Sequence, residues 1–199
     1  MIPTDQFSRL QQIIDLAWEI LFERIVSGRQ IINKESSLQL HLSKLIFDLG
    51  NIYCIEPNER FEIEMETNYE KKSIDIVCIL GETKAAIELK CFMKASNRAK
   101  DLDCYDVLLD IERLQKFNGF DIKKFICLTN NKYYSTTIQS GHGKTVSLKS
   151  GTVYKANEEI IPGWADKWKV NRDKPIIFSK KIKCDWTSKS DWYFLKIEI

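Results

Sequence analysis

The chain has 199 residues, 44% hydrophobic and 29% charged, with only 8 Gly, 4 Pro and 6 Cys. That apolar content excludes an intrinsically disordered chain, and so few Gly and Pro exclude a collagen-like or linker-rich one. A chain of this length buries roughly 70% of its unfolded surface, so one elaborated domain with a full core is expected, with no need of a disulfide or metal staple.

No apolar run approaches the ~20 residues that span a bilayer, and the opening MIPTDQFSRL lacks the basic-then-apolar layout of a secretion signal. A cytoplasmic protein without a membrane partner is expected. The cysteines, Cys54, Cys78, Cys91, Cys104, Cys127 and Cys184, form no C-x-x-C pair, and several sit inside apolar runs such as IDIVCIL. They read as reduced thiols packed as small hydrophobes rather than as zinc ligands or disulfides.

The formal net charge of +2 conceals an uneven distribution. Residues 1 to 70 hold 6 Lys+Arg against 12 Asp+Glu, residues 71 to 121 hold 9 of each, and residues 122 to 199 hold 15 against 7. The basic final third is therefore a candidate polyanion-facing surface.

In chain order, Phe7, Leu10, Ile14, Ala17, Leu21 and Ile25 recur at three- and four-residue steps, predicting an amphipathic helix from Thr4 to about Ile25 capped by Thr4 or Asp5. Leu38, Leu42, Leu45, Ile46 and Leu49 predict a second helix, which ends at Gly50 as a C-cap. The period then changes to two. FEIEMET (61–67) alternates Phe61, Ile63 and Met65 inward with Glu62, Glu64 and Glu66 outward. SIDIVCIL (73–80) and KAAIELKC (84–91) follow as strands joined by the tight turn Gly81-Glu82-Thr83.

Residues 98 to 117 return to helical spacing, with an apolar stripe at Leu108, Ile111, Leu114 and Phe117, and KKFICLTN reads as a further strand. Residues 131 to 173 contain loop material rich in Ser, Gly and Thr, and a Trp-rich piece, GWADKWKV. The end reads as two strands, PIIFSKKIKCDW and DWYFLKIEI, around Thr187-Ser188-Lys189-Ser190.

Chemistry concentrates in the hairpin. Alternation puts Glu88 and Lys90 on one face of their strand, and the short turn brings Asp75 beside Glu88. Two carboxylates and an ammonium then converge among apolar residues, an arrangement that costs free energy without a compensating charge. A divalent cation supplies that charge. Asp75 and Glu88 offer hard oxygen ligands suited to Mg²⁺, and Lys90 is placed to orient a water and offset phosphate charge.

Through Ile74-Asp75 and Glu88-Leu89-Lys90, the sequence resembles the PD-(D/E)xK nuclease superfamily, to which many type II restriction endonucleases belong. Ile74 stands where the short motif has Pro. The resemblance covers about residues 34 to 130. It implies an α/β restriction-endonuclease-like core, a central mixed β-sheet flanked by helices. An N-terminal helix (about 4–26) and a basic, aromatic, β-rich C-terminal extension (about 131–199) complete a single domain.

The implied activity is Mg²⁺-dependent hydrolysis of DNA phosphodiester bonds, with Mn²⁺ able to substitute, leaving a 5′-phosphate and a 3′-hydroxyl. Asp75, Glu88 and the Leu89 carbonyl would hold the metal. Lys90 would position the nucleophilic water, and Glu35, at the start of the preceding helix, would assist through a metal-bound water. A duplex cut needs two sites, so a homodimer on DNA is expected for a type II restriction-like endonuclease.

Further nucleic-acid candidates are Gln39, one turn after Glu35, with Asn97, Arg98 and Arg113 around the helix that follows the motif. Lys144 beside His142, and Lys180, Lys181 and Lys183 in the last third, complete the set. Asp106, Asp110 and Arg113 also read as an intrahelical charge ladder, and His41 as a packed or surface histidine. SGHGK lacks the P-loop layout, so no nucleotide cofactor is expected. A catalytically silent nucleic-acid-binding module, and an interaction or immunity-type protein using Glu62, Glu64 and Glu66, are the alternatives.

Overall fold

A computed structural model describes residues 2–69, 72–95, 99–137, 144–163, 172 and 174–199. Helices α1 (Gln6–Val26) and α2 (Glu35–Tyr53) precede strands β1 (Phe61–Tyr69), β2 (Lys72–Leu80) and β3 (Thr83–Phe92). Then come α3 (Lys100–Lys116), β4 (Ile122–Thr129), the single turn α4 (Tyr133–Thr136), and short strands β5 (Val153–Tyr154), β6 (Glu159–Ile160), β7 (Ile176–Ile177) and β8 (Ile182–Lys183). The chain closes with β9 (Trp186–Lys189) and β10 (Trp192–Glu198). The fold is mixed α/β, with a central mixed sheet in the order β1-β2-β3-β4-β10-β9 flanked by helices. Among the described residues, no helix is long and apolar enough to cross a membrane.

Two compact units partition the chain: residues 1–91 with 118–124 and 198, and residues 92–117 with 125–197 and 199. In the first unit, α1 packs on α2 and both lie against β2. Ala17 of α1 is fully buried, as are Leu10, Ile14 and Leu21 of α1 and Leu38, Leu42 and Ile46 of α2, these six larger side chains each contributing about 1.5–3 kcal/mol through the apolar surface removed from water. Asp5 caps α1 by accepting from Ser8 N at 2.7 Å.

Three sequence expectations need correction here. Phe7 is exposed, and Arg9 is buried in its place, its guanidinium forked onto Glu59 with both nitrogens at 2.7 Å. Gly50 does not end α2, which continues to Tyr53. A Cβ at Gly50 would collide with the Phe61 ring, so glycine is selected there by close packing rather than by a cap. Met65 is exposed on β1, an edge strand, next to a backbone kink at Glu66.

The β2–β3 hairpin closes through Gly81 and Glu82, with Leu80 opposite Thr83. Gly81 has φ +59 and holds the first central position, which a II′ turn reserves for glycine. Lys124, 1% exposed, is enclosed with Asp15 at 2.6 Å and Glu198 at 3.3 Å.

In the second unit, α3 organises residue 172 and the segment from 174 to 180. Glu112 accepts from Ile177 N at 2.9 Å, Gln115 accepts from Ser179 N at 2.7 Å, and Tyr105 donates its hydroxyl proton to Lys174 O at 3.0 Å. Asp106 forms a bidentate pair with Arg172 at 2.8 and 2.9 Å, so only Asp110 and Arg113, 3.2 Å apart, pair within the expected ladder.

The C-terminal run is more broken than its sequence suggests. PIIFSKKIKCDW divides between β7, β8 and the start of β9, because β7 pairs with β6 and β8 with β5. Thr187–Lys189 is strand, and the turn falls at Ser190-Asp191, where Ser190 takes φ +54. None of the six cysteines is in a disulfide, and four are buried.

Candidate active site

The β2–β3 ladder runs from Leu80↔Thr83 to Ile76↔Ile87. Asp75 and Glu88 are the next residues on each strand. In place of a further rung, Asp75 Oδ2 accepts from the backbone N–H of Leu89 at 2.6 Å. The carboxylate thus fixes the peptide between Glu88 and Lys90. Glu88 is 1% exposed, within a run buried from Ala85 to Leu89.

Lys90 is half-buried, and its Nζ lies 3.1 Å from Leu89 O and 3.9 Å from Glu35 Oε1. Glu35 is the first residue of α2, where a carboxylate is favoured by the helix dipole. Four sequence-nominated groups, Glu35, Asp75, Lys90 and the Leu89 peptide, are thus joined directly within the first unit. Glu88 immediately precedes Leu89, the residue that Asp75 and Lys90 both engage.

Gln39, four residues after Glu35 and on the same helix face, plays a part that its sequence position did not disclose. Its Nε2 donates to Asp75 O at 2.8 Å and to Glu66 Oε1 at 2.9 Å. Glu66 also accepts from the Ser73 hydroxyl at 2.9 Å. The β1–β2 ladder passes from Met65↔Ile76 to Thr67↔Ile74 and omits the pair Glu66 and Asp75. There Glu66 adopts φ +53, a conformation that costs a non-glycine residue about 1–2 kcal/mol. Such strain persists where the surroundings over-determine it, and it clusters at functional sites. No sequence signal marked it, since Glu carries no preference for that region.

Cys91 follows Lys90, and burial, reinforced by the Glu35 charge, pushes its thiol up to about 12. It remains protonated at neutral pH and is no candidate nucleophile. His41 of α2 shares a hydrogen bond of 2.8 Å with Gln30, which precedes the helix.

Among the described residues, no group of three or more His, Cys, Asp and Glu side chains is gathered to hold a metal. A metal held here would take carboxylate oxygens from Asp75 and Glu88, with the Leu89 carbonyl as a third oxygen. That set suits Mg²⁺, which commonly binds through one or two carboxylates and keeps several waters. It does not suit Zn²⁺ in a closed structural site, where four protein ligands are the rule.

The other nominated contacts lie elsewhere in the chain. Asn97, Arg98 and His142, and the tryptophans Trp164 and Trp168, fall outside the described residues. Arg113 is half-buried against Asp110, Lys144, Lys180 and Lys181 are exposed, and Lys183 pairs with Asp185 at 2.7 Å. Trp186 is half-buried and donates to Leu148 O at 2.6 Å, a packing role. Compared with known proteins, the chain matches no family model, no curated protein and no solved structure.

Proposed function

We propose that this protein is a metal-dependent phosphodiesterase of the PD-(D/E)xK type acting on DNA. The observation that carries this reading is the direct linkage of Asp75 to the Leu89 peptide, between Glu88 and Lys90. An acidic residue on one strand thereby sets the position of an acid and a base on the next. Two hard carboxylates and one ammonium in a shielded setting match what phosphoryl transfer requires: charge stabilisation and positioning rather than a covalent intermediate.

Asp75, Glu88 and the Leu89 carbonyl would hold Mg²⁺ or Mn²⁺. The ion, when bound, supplies Lewis-acid polarisation of a phosphate oxygen and lowers the pKa of water. Lys90 orients a water and offsets phosphate charge. Glu35, 3.9 Å from Lys90, restrains the ammonium. Gln39 fixes the Asp75 backbone, and hence the angle at which the Asp75 carboxylate approaches Leu89.

Cleavage of a duplex on both strands would require two such sites and therefore a homodimer. Incubation of purified protein and mixed plasmid DNA with Mg²⁺ tests the assignment. Discrete fragments favour a restriction-like endonuclease, and a smear favours a nonspecific one. Loss of either in Asp75→Ala and Lys90→Ala protein supports the active site, and equal cleavage by both variants rejects it. Metal-indifferent DNA binding without cleavage would favour the silent binding module.

Use of the acidic strand as a protein-docking face is less favoured. Glu66 is already engaged by Gln39 and Ser73, and Glu64 by Thr67 at 3.2 Å.

A further inference from the structure

We propose that a cleft of about 440 Å³ in the second unit, lined by Lys94, Asn130, Asn131, Lys132, Asp191 and Tyr193, binds one nucleotide unit. Its volume lies within the range of small-molecule sites. The assignment rests on this cleft alone and stands whether or not Asp75 and Glu88 carry hydrolysis.

The polarity of the lining is set by hydrogen bonds that its two asparagines accept from the backbone. Asn130 Oδ1 accepts from Lys94 N at 2.6 Å, and Asn131 Oδ1 accepts from Tyr133 N at 3.1 Å. An amide whose oxygen is held by a backbone N–H presents its NH₂ end, which can only donate. Both asparagines are therefore oriented as donors. The turn that carries them is rigid, because Thr129 Oγ1 accepts from Asn131 N at 3.0 Å and donates to Phe92 O at 2.5 Å.

Two ammonium groups join these amides. Among the described residues neither Lys94 nor Lys132 has an ion-pair partner. Four donors around one space, two of them charged, select an anion with several acceptor oxygens, and a phosphate group meets that description.

The remaining lining separates a nucleotide from a bare phosphate. Asp191 is the one carboxylate in the cleft, and it would accept from a sugar hydroxyl or a base N–H. Tyr193 is half-buried on β10 and offers a ring on which a base can stack. Two ammoniums against one carboxylate leave an excess of one positive charge, which matches a phosphodiester. A free nucleotide and a segment of a nucleic-acid strand share this chemistry, and titration distinguishes them.

The test uses full-length ¹⁵N-labelled protein in buffer containing EDTA. It is titrated separately with inorganic phosphate, thymidine 5′-monophosphate and an oligothymidylate of about eight nucleotides, within the usual site size of single-strand binders. The expected result is movement of the Asn130 and Asn131 side-chain NH₂ resonances with the nucleotide ligands. Lys94→Gln/Lys132→Gln protein should bind about tenfold more weakly and with a shallower salt dependence. Tyr193→Leu should weaken nucleotide binding and leave phosphate binding unchanged.

Tighter binding of the oligonucleotide assigns a strand contact, and tighter binding of the monophosphate assigns a free nucleotide. The proposal is overturned if inorganic phosphate binds as tightly as both. Stationary amide resonances, or full affinity in a double lysine variant that remains folded by circular dichroism, would overturn it equally.

Discussion

Leu89 N–H donates to Asp75 Oδ2 at 2.6 Å, one residue beyond the last β2–β3 rung at Ile76↔Ile87. A side chain has replaced a backbone partner at the point where the two strands stop pairing. Asp75 therefore has a structural part as well as its proposed chemical one. Asp75→Ala should cost about 1.5–3 kcal/mol, the range for a hydrogen bond to a charged group. Asp75→Asn keeps an acceptor for Leu89 and should recover most of that stability while remaining inactive. Urea unfolding and DNA cleavage, measured on both variants, separate the two parts.

Glu66 and Gln39 form the support behind Asp75. Glu66→Gly removes two hydrogen bonds but relieves the strain at φ +53, so its stability should stay within about 1 kcal/mol of the native chain. Glu66→Val places a β-branched residue in the left-handed region and should lose about 2 kcal/mol or more. Gln39→Ala leaves the Asp75 carbonyl without this donor. It should lower kcat for DNA cleavage with little change in KM, and Gln39→Glu should not restore it.

Lys124 presents a buried charge held by two acids. Asp15→Ala removes the closer one and should destabilise the fold by about 3 kcal/mol, because an ammonium remains buried with incomplete compensation. Replacing both partners, in Lys124→Met/Asp15→Leu, should return stability to within about 1 kcal/mol of native. A double variant as unstable as Asp15→Ala would show that the pair positions the strand rather than only neutralising itself.

Acid sensitivity is expected from Glu59. Burial raises its carboxyl, but hydrogen bonds from Arg9 and from the backbone of Glu56 and Ile55 outweigh this and hold it below the ordinary value of 4.5. A depressed folded-state pKa contributes stability above the unfolded value, and this contribution is lost as pH falls through the folded one. Native protein should therefore be at full stability above about pH 5 and weaken below it. Glu59→Gln should be less stable at pH 7 and show a flatter decline in acid, as read from thermal unfolding across pH.

The parts of this molecule legible in its sequence are those governed by local period. Helices α1 and α2, the strands β1 to β3 and the Gly81 turn all follow from spacing and from one glycine. Asp75, Glu88 and Lys90 were legible because alternation and a tight turn fix their relation within fifteen positions.

The buried charges were not legible. Arg9 is neutralised by Glu59, 50 residues away, and Lys124 by Asp15, 109 residues away, and no local pattern encodes such partners. The kink at Glu66 was hidden because its residue type gives no sign of it. Strands of two residues, such as β5 to β8, are too short to show a period, so the last third resisted division. Met65 and Phe7 fitted their apolar stripes in sequence, yet both lie at the edge of what the core covers.

Hydrolysis as proposed requires that Asp75 and Glu88 together hold one metal ion. Calorimetric titration of the chain with Mn²⁺ tests this requirement, comparing native protein with Asp75→Ala and Glu88→Gln under conditions where all three are folded. One saturable site per chain is expected in native protein, with at least about a tenfold loss of affinity in each variant. Saturable Mn²⁺ binding of unchanged affinity in both variants would contradict it.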